Sequence, residues 1–560
     1  MSPRRLILVF LALTVLFLAA NRAAYKGYFS DDDLDNLVQT RGAEVSYFAK
    51  ELVSPKFSTW NFRPVGHAYY RLLGDTEGLR FPVYIGVLHA LHLLNVVLVF
   101  LVLRRLGATQ VNACAGALLF AFHMACFDAY WKPMYVFDVG CAFFVLLALL
   151  AYLNGRWLLA LIPFWLAYKT KETAVALPMF LLLYEWLLGE RKFKRLLPFF
   201  AVSVNFGLQA MLAPKTVESP YTFRFTGAAL WTTISYYSAK VLLAPYSGLL
   251  LIPAAWWLKD RRIWLGVAGI AVLLGPLWFL PERTYAVYLY LPLIGLAIAA
   301  AFAAERISPV CIGIFFLLWI PSNYLILRKQ RGVALEAAQQ VRGYVQQVGG
   351  ALAAHPDWKS IVYDRAPLSL HPWGVSAAYR WFQPARDFRV DPIDSAEGRR
   401  LLQEATVQTA SWNPARRVLS FQQRVPGAPN PSFVDMAEGN PAWLFLDGWH
   451  AIEAGFRWMK PQASLALQRP ADARSFAVRI NFGPVQFQDM GRVDLELLLD
   501  GQSLGIRSYT AQGWHEQQWA LPAGPAGPVQ VTLRVGKPYK PSNGDPRPLG
   551  AAIVALGFKP

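Results

Sequence analysis

The chain has 560 residues, of which 55% are hydrophobic and only 16% charged, and its mean hydropathy is +0.30. Soluble domains carry roughly 25% charged residues, so these values exclude an ordinary cytosolic enzyme, and a chain this apolar is not disordered either. The net charge of +18 is unevenly spread: residues 1–340 hold 31 basic and 18 acidic residues, and residues 341–560 hold 23 and 18. Most of the excess therefore flanks apolar segments, where membrane orientation requires it, and no nucleic acid is needed to explain it. Cys114, Cys126, Cys141 and Cys311 lie in or at the ends of apolar stretches, and the tail after residue 340 has no cysteine, so the tail is not a disulfide scaffold.

Apolar stretches suited to crossing a bilayer recur from residue 6 to residue 327. They run at about 6–21, 82–103, 110–127, 134–153, 157–168, 173–189, 196–213, 229–257, 263–280, 284–304 and 307–327, with a break possible near Pro245. About eleven spans are expected. The first, led by Arg4-Arg5 and followed by small residues from Ala20 to Ala24, also has the makings of a cleaved signal peptide. Under alternate crossing, Arg104-Arg105, Arg156, the run Arg191 to Arg195, Lys259 with Arg261-Arg262, and Arg306 share one side with Arg4-Arg5, and that side is the cytoplasm. Lys169, Lys171 and the basic residues from Arg328 to Arg331 fall on the other side and need a separate reason.

An odd span count makes the tail from residue 328 extracytoplasmic. Within it, residues 328–435 mix helix-like and strand-like pieces: a helix over 333–354, a strand at Ser360-Ile361-Val362-Tyr363 and a helix near 395–405. From 436 to 560 alternation takes over, in Ser464–Leu467, Phe476–Ile480, Val493–Leu497 and Val529–Leu533. Asp500-Gly501 marks a hairpin turn. The expected architecture is a mainly α polytopic membrane bundle over 1–327, a mixed α/β segment and a β-sandwich.

The densest acidic feature is Asp31-Asp32-Asp33-Leu34-Asp35, directly after the first span. Asp favours helix N-caps and first turns, which is the plain reading of this run. On the same outer side, however, fall Arg63 and His67, Asp128 and Lys132, Asp138, Lys169, Lys171 and Glu172, and Glu282 with Arg283. Ionisable groups near membrane depth are costly and usually line a functional cavity. Cations gathered with carboxylates suit a phosphate-bearing substrate, the cations holding phosphate while a carboxylate serves as base or metal ligand.

Several ordered motifs carry a family resemblance. They are Asp32-Asp33 after the first span, Phe62-Arg63-Pro64-Val65, His89-Ala90-Leu91-His92-Leu93-Leu94-Asn95, Phe120-Ala121-Phe122-His123 with Asp128-Ala129, Lys171-Glu172-Thr173-Ala174 leading to Leu177-Pro178, and Pro281-Glu282-Arg283 before Tyr288-Leu289-Tyr290-Leu291-Pro292. In this order and spacing, residues 1–327 resemble the polytopic GT-C glycosyltransferases, in particular the O-mannosyltransferase branch that often carries tetratricopeptide tails. The tail of this chain has no such repeats. The resemblance implies transfer of a sugar from a polyprenyl-phosphate carrier to a hydroxyl acceptor (glycan, lipid or protein) at the outer face of the cytoplasmic membrane, with inversion. It implies a first-loop general base at Asp32 or Asp33, with Asp31 as an alternative, and Asp128 as a second acidic position. Arg63, Lys171 and Arg283 become candidates for the carrier phosphate, and His123, Glu172 and Glu282 further substrate-site positions. Some relatives use a divalent metal and others none, so the cofactor stays open.

His89 and His92, at i and i+3 on one helix face, are compatible with metal ligation but are better explained as helix packing. Trp449 and Trp458 read as core rather than as sugar platforms, and His450, Glu453 and Arg457 stand beside them. No nucleophile elbow, P-loop or paired Cys-x-x-Cys is present, which argues against a hydrolase, an ATP-driven pump and a zinc protein. The competing reading is a transporter or flippase of a lipid-linked saccharide, which would call for paired half-repeats around a midplane site. A non-catalytic scaffold would leave the outer charges unexplained.

Overall fold

The structure is a computed structural model that describes residues 2–56, 62–212, 219–385, 387–436, 442–453, 455–541 and 547–560. The chain divides into two compact units, Met1–Gln339 and Gln340–Pro560.

The first unit is helical. Helix α1 (Pro3–Asn21) starts where the Ser2 side chain accepts from the Arg5 amide, with Pro3 in its first turn. After a 3-10 turn come α2 (Asp31–Thr40), α3 (Val45–Val53) and α4 (Pro64–Glu77), the last ended by Gly78. Helix α5 (Phe81–Arg105) is followed by α6 (Gln110–Phe122), capped by Thr109, and by the short α7 (Phe127–Trp131). Then come α8 (Val136–Leu153), α9 (Trp157–Tyr168), α10 (Leu177–Leu187), α11 (Leu197–Leu212), α12 (Gly227–Val241), α13 (Leu251–Leu258), α14 (Arg261–Leu273), α15 (Leu293–Ala303) and α16 (Pro309–Ala354). The expected span at 229–257 is two helices, α12 and α13, parted around Pro245, and position 213 of the span at 196–213 lies outside the described residues.

By length and composition, four segments among the described residues can cross a membrane: Pro3–Lys26, Phe81–Arg105, Pro133–Leu153 and Pro309–Ala354. A fifth is obtained if the pair Gln110–Phe122 and Met124–Trp131, bent by 42°, counts as one span. The remaining expected spans are helices of 8–16 residues, too short alone for the roughly 20-residue hydrocarbon crossing, so helix length does not support the count of eleven. Outward faces of several of them are nonetheless apolar: Leu158, Ile162, Met179, Trp186, Leu197, Leu208, Trp256 and Trp257 are all exposed, as are Leu8 and Leu325 on the long helices α1 and α16. A surface of this kind is stable only when lipid covers it.

Inside the bundle the helices approach through small residues, as they do where lipid supplies no hydrophobic drive for association. A Cβ added to Gly266 of α14 would stand 2.6 Å from the carbonyl oxygen of Gly295 in α15, and one on Gly116 of α6 would stand 2.7 Å from that of Ala297. Polar side chains tie the same interior. His89 meets the Tyr25 hydroxyl at 3.1 Å and the Tyr130 carbonyl at 2.8 Å, while His92 meets the Tyr290 hydroxyl at 2.7 Å and the Ala121 carbonyl at 3.2 Å. Asn95 donates to the Val139 carbonyl at 2.9 Å and to Tyr290 at 3.1 Å. Every ring nitrogen of the two histidines is engaged in packing.

The second unit holds two sheets. Strands β1 (Ser360–Arg365), β2 (Arg389–Pro392), β3 (Val407–Asn413) and β4 (Val418–Arg424) take the order β2-β1-β3-β4, with β1 parallel to both neighbours and β3 antiparallel to β4. Helices α17 (Pro372–Phe382) and α18 (Ala396–Glu404) make the two crossovers. The other sheet has nine strands: β5 (Phe433–Asp435), β6 (Phe445–Ile452), β7 (Arg457–Arg469), β8 (Ser475–Phe482), β9 (Val493–Leu499), β10 (Gln502–Tyr509), β11 (Gly513–Ala520), β12 (Gly527–Val535) and β13 (Ala552–Lys559), with α19 (Pro484–Met490) between β8 and β9. Its order is β10-β9-β12-β7-β13-β8-β11, with β5 on β13 and β6 on β7. All four expected alternating runs are strands, and Asp500 and Gly501 turn β9 into β10 with φ of 47° and 83°. The expected β-rich domain is present, and its strands form one hydrogen-bonded, barrel-like sheet that curls round a shared core of Leu465, Val478, Ile480, Leu497, Trp519 and Leu533.

Candidate active site

Helix α2 begins where the acidic run begins, because Ser30 and Asp33 form a capping box. Asp33 is fully buried; one carboxylate oxygen accepts from the Ser30 amide and hydroxyl, both at 2.8 Å, and the other from the Tyr70 hydroxyl at 2.7 Å. Both oxygens are thus committed to the fold. Asp32 is exposed on the same first turn, and Asp31 is half-buried. Asp35 accepts from Gln39 one turn on.

Burial pushes the Asp33 carboxyl up to about 6, against the hydrogen bonds from Ser30 and Tyr70 that favour its ionised form. An unfolded Asp titrates near 4, so between about pH 4 and 6 the folded chain binds more protons. Stability contributed by this group is complete below that window and falls as pH rises through it, by on the order of 3 kcal/mol. Thermal melts of the wild type are expected to decline from pH 4 to 6 relative to Asp33→Asn, which has no proton to release. Parallel pH profiles for the two proteins would refute this.

Across from α2, four charges interlock. Lys171, in the turn after α9, donates to both oxygens of Asp138 in α8 at 2.7 Å, and both side chains are about nine-tenths buried. Arg63, just before α4, forks onto Glu172 with Nε and Nη2 each 3.1 Å from a carboxylate oxygen. This is the bidentate geometry that favours arginine. Burial pushes the Glu172 carboxyl up, but Arg63 and Lys171 outweigh it and hold the group below its ordinary value. Arg63 also lies 5.3 Å over the Phe137 ring, and Gly66 makes room: a Cβ there would stand 2.1 Å from that ring.

Arg283 differs from Arg63 and Lys171. Among the described residues no carboxylate lies within ion-pair distance of it. Its guanidinium sits over the rings of Tyr221 at 4.3 Å, Tyr285 at 5.0 Å and Tyr288 at 5.7 Å, and it donates to the Tyr288 hydroxyl. The ammonium of Lys171 lies 4.8 Å over the same Tyr288 ring, so that tyrosine joins the two cations. The hydroxyl of Tyr135 lies within electrostatic reach of Asp32, Asp128, Asp138 and Tyr288, so the acidic start of α2 comes near the Asp138 and Tyr288 that the cations engage.

Of the other candidates, Asp128 pairs with Lys132 at 3.0 Å, both partly exposed, and Glu282 pairs with Arg224 rather than with its neighbour Arg283. His123 is buried, with Nε2 2.9 Å from the Val241 carbonyl and Nδ1 accepting from the Ala125 amide, which is a structural placement. Lys169 donates to the Ser54 carbonyl at 2.6 Å and anchors the loop after α3. Tyr135, Tyr221 and Tyr288 were missed by sequence reasoning, although the Tyr288-Leu289-Tyr290 run was a usable signal; no periodicity singles out the others. Among the described residues no three His, Cys, Asp or Glu side chains gather to hold a metal ion.

No protein-family model and no curated protein matches the chain. Among solved structures it is similar to the arabinofuranosyltransferase AftD from Mycobacteria, at 12% identity and a TM-score of 0.45, over 100% of this chain and 58% of AftD. It is similar also to ArnT from Cupriavidus metallidurans bound to undecaprenyl phosphate, at 11% identity and a TM-score of 0.44, over 76% of this chain and 99% of ArnT. A third is the arabinosyltransferase EmbB from Mycobacterium smegmatis, at 14% identity and a TM-score of 0.34, over 98% of this chain and 64% of EmbB. The chain thus spans less than two thirds of the length of AftD and of EmbB.

Proposed function

We propose that the chain is a GT-C type membrane glycosyltransferase that moves a sugar from a polyprenyl-phosphate carrier to a hydroxyl acceptor. The observation that carries this reading is the sorting of charge around Tyr135 and Tyr288: an exposed carboxylate at Asp32, two cations already matched by carboxylates, and one cation, Arg283, held only by tyrosines among the described residues. A guanidinium so placed is suited to receive a phosphate through paired N–H donors. The Lys171–Asp138 and Arg63–Glu172 pairs shape and brace that place without competing for the anion.

In the reaction the acceptor oxygen attacks the anomeric carbon as its proton passes to Asp32. The bond from that carbon to the phosphate oxygen breaks, and the lipid phosphate leaves with the bonding electrons, its charge held by Arg283. Attack opposite the leaving group inverts the anomeric carbon. Asp33 serves this step indirectly, by fixing the first turn of α2 on which Asp32 stands. Asp128 lies within reach of the same Tyr135 and is suited to orient the acceptor. The site belongs on the outer face of a cytoplasmic membrane, with residues 340–560 on the same side.

The test is transfer from a radiolabelled polyprenyl-phosphate sugar by the full chain in proteoliposomes. Arg283→Gln is expected to raise the donor KM by one to two orders of magnitude, the worth of one charge-assisted contact of about 1.5–3 kcal/mol. An unchanged KM would remove Arg283 from the donor site. Movement of the lipid-linked sugar across the bilayer with no covalent product would replace the enzyme by a transporter.

A further inference from the structure

The second unit contains a cleft that the reaction at Asp32 and Arg283 does not use. It lies where the end of α16 runs out over the hairpin of β3 and β4. Along this seam the strand register pairs Trp412 with Leu419, Ala410 with Phe421 and Gln408 with Gln423. The first level is closed: Trp412 packs on Tyr344 of α16 with ring centroids 5.6 Å apart, and its indole N–H donates to Gln340 at 3.1 Å. At the last level the helix offers only Ala351 and Ala354, and the strands change from apolar side chains to the two glutamines. The seam therefore parts there into a cleft of about 470 Å³. That size falls in the range of about 300–1,000 Å³ usual for small-ligand sites.

One turn builds a wall of rings along this cleft. Helix α16 ends as the His355 amide donates to the Ala351 carbonyl at 2.9 Å, and the Trp358 amide closes back on the His355 carbonyl at 3.3 Å. Pro356 stands second in that four-residue turn, where its fixed φ is favoured, and its carbonyl accepts from Gln383 at 3.1 Å. The turn lays the His355 imidazole parallel to the Trp358 indole, at 4.6 Å and 4°, and Phe421 of β4 meets the indole at 5.1 Å. Three polar side chains line the same cleft, the Asp357 carboxylate and the Gln408 and Gln423 amides. Among the described residues none of the three has a hydrogen-bond partner within the protein. Their acceptor oxygens and –NH2 donors are thus left for a ligand. Among the described residues no lysine or arginine lines the cleft, so it lacks the groups that hold a phosphate or a carboxylate.

We infer that this cleft, between the end of α16 and the β3–β4 hairpin, is a second binding site and takes a neutral saccharide. A sugar ring has C–H faces that pack on the electron-rich faces of aromatic rings, and a rim of hydroxyls that both donate and accept. Gln408 and Gln423, directly opposite in the ladder, present two amides side by side to neighbouring hydroxyls. Asp357 accepts from a further hydroxyl, and its charge, unmatched in the cleft, turns acidic sugars away. This site is separate from the one at Arg283 and does not depend on the glycosyltransferase reading.

The test is saturation-transfer NMR on the full chain in lipid nanodiscs, because maltoside detergents would themselves compete. Maltotriose, mannotriose and galactotriose serve as neutral probes, and trigalacturonic acid as the charged counterpart. Saturable binding of at least one neutral trisaccharide is expected, and none of the acid. Gln423→Ala, at an exposed position, is expected to weaken binding by about fivefold, the effect of one ordinary hydrogen bond. The double variant Gln408→Ala with Gln423→Ala should weaken it by about tenfold or more, and Trp358→Ala should abolish it. Arg283→Gln should leave it unchanged, which separates this site from the donor site. Failure of all three neutral probes to bind, binding unaltered in the double glutamine variant, or saturable binding of trigalacturonic acid would overturn the assignment.

Discussion

Asp32→Asn is expected to lower the rate of sugar transfer by about 10²–10⁴-fold with little change in donor KM. The lost interaction is general-base catalysis, whose ordinary worth lies in that range and corresponds to about 3–5 kcal/mol of transition-state stabilisation. An amide keeps the size and the hydrogen-bonding shape of the carboxylate but cannot accept the acceptor's proton. Because Asp32 is exposed and Asp33 carries the capping box, the substitution should leave the melting temperature almost unaltered. Asp33→Asn should show the reverse pattern, a shift in stability and pH profile with most of the turnover retained. Full activity in Asp32→Asn together with loss in Asp31→Asn would move the base one residue earlier. Full activity in both, and in the double variant with Asp33→Asn, would remove the first loop from the chemistry altogether.

The second large effect concerns the Lys171–Asp138 pair. Lys171→Met leaves a carboxylate enclosed among Arg63, Glu172 and the α8 backbone without its main counter-charge, and such a loss costs about 3–5 kcal/mol. Asp138→Asn leaves the mirror problem, an enclosed ammonium facing an amide. The double variant removes both charges and should recover much of the loss, so that the two single effects sum to well more than the double. Thermal unfolding of the four proteins in one detergent measures this, and residues in such contact typically couple by about 0.5–3 kcal/mol. Additive effects would mean that the two side chains do not form the pair in the folded protein. Activity offers a second readout, since Tyr288 sits between Lys171 and Arg283 and a displaced ring should also weaken donor binding.

How far the sequence could be read depended on the range of the interactions involved. Helices α5 and α8 follow from long uninterrupted apolar runs, and the strands of the larger sheet from their alternation, because burial of one face is a local pattern. Asp500-Gly501 identified its hairpin for the same reason. Helix α16 was read as a span ending at residue 327 and a separate helix over 333–354, but no turn residue interrupts Arg328 to Arg331, and the backbone continues. The strand at Arg389–Pro392 has four residues and no alternation to betray it; parallel pairing with β1 makes it. The site divides along the same line. The membrane-depth cost of charge was enough to nominate Arg63, Lys171, Glu172 and Arg283, and the family resemblance added Asp32. It was not enough to say that Glu172 belongs to Arg63, 109 residues away, or that Lys171 belongs to Asp138, 33 residues away on another helix. Partnership across such separations is set by packing, and it decides which cation is left for a ligand.

The interlocked set of Arg63, Glu172, Lys171 and Asp138 has a consequence at longer range. Two positive and two negative groups in mutual contact sum to zero, so their field dies away within a few ångströms, inside the roughly 8 Å over which physiological salt screens a lone charge. An approaching lipid phosphate would sense Arg283 almost alone, as a single positive source in an otherwise quiet wall. Binding built in this way depends weakly on ionic strength and strongly on where one guanidinium points, so selectivity among anionic lipids would come from shape around the tyrosines rather than from bulk attraction.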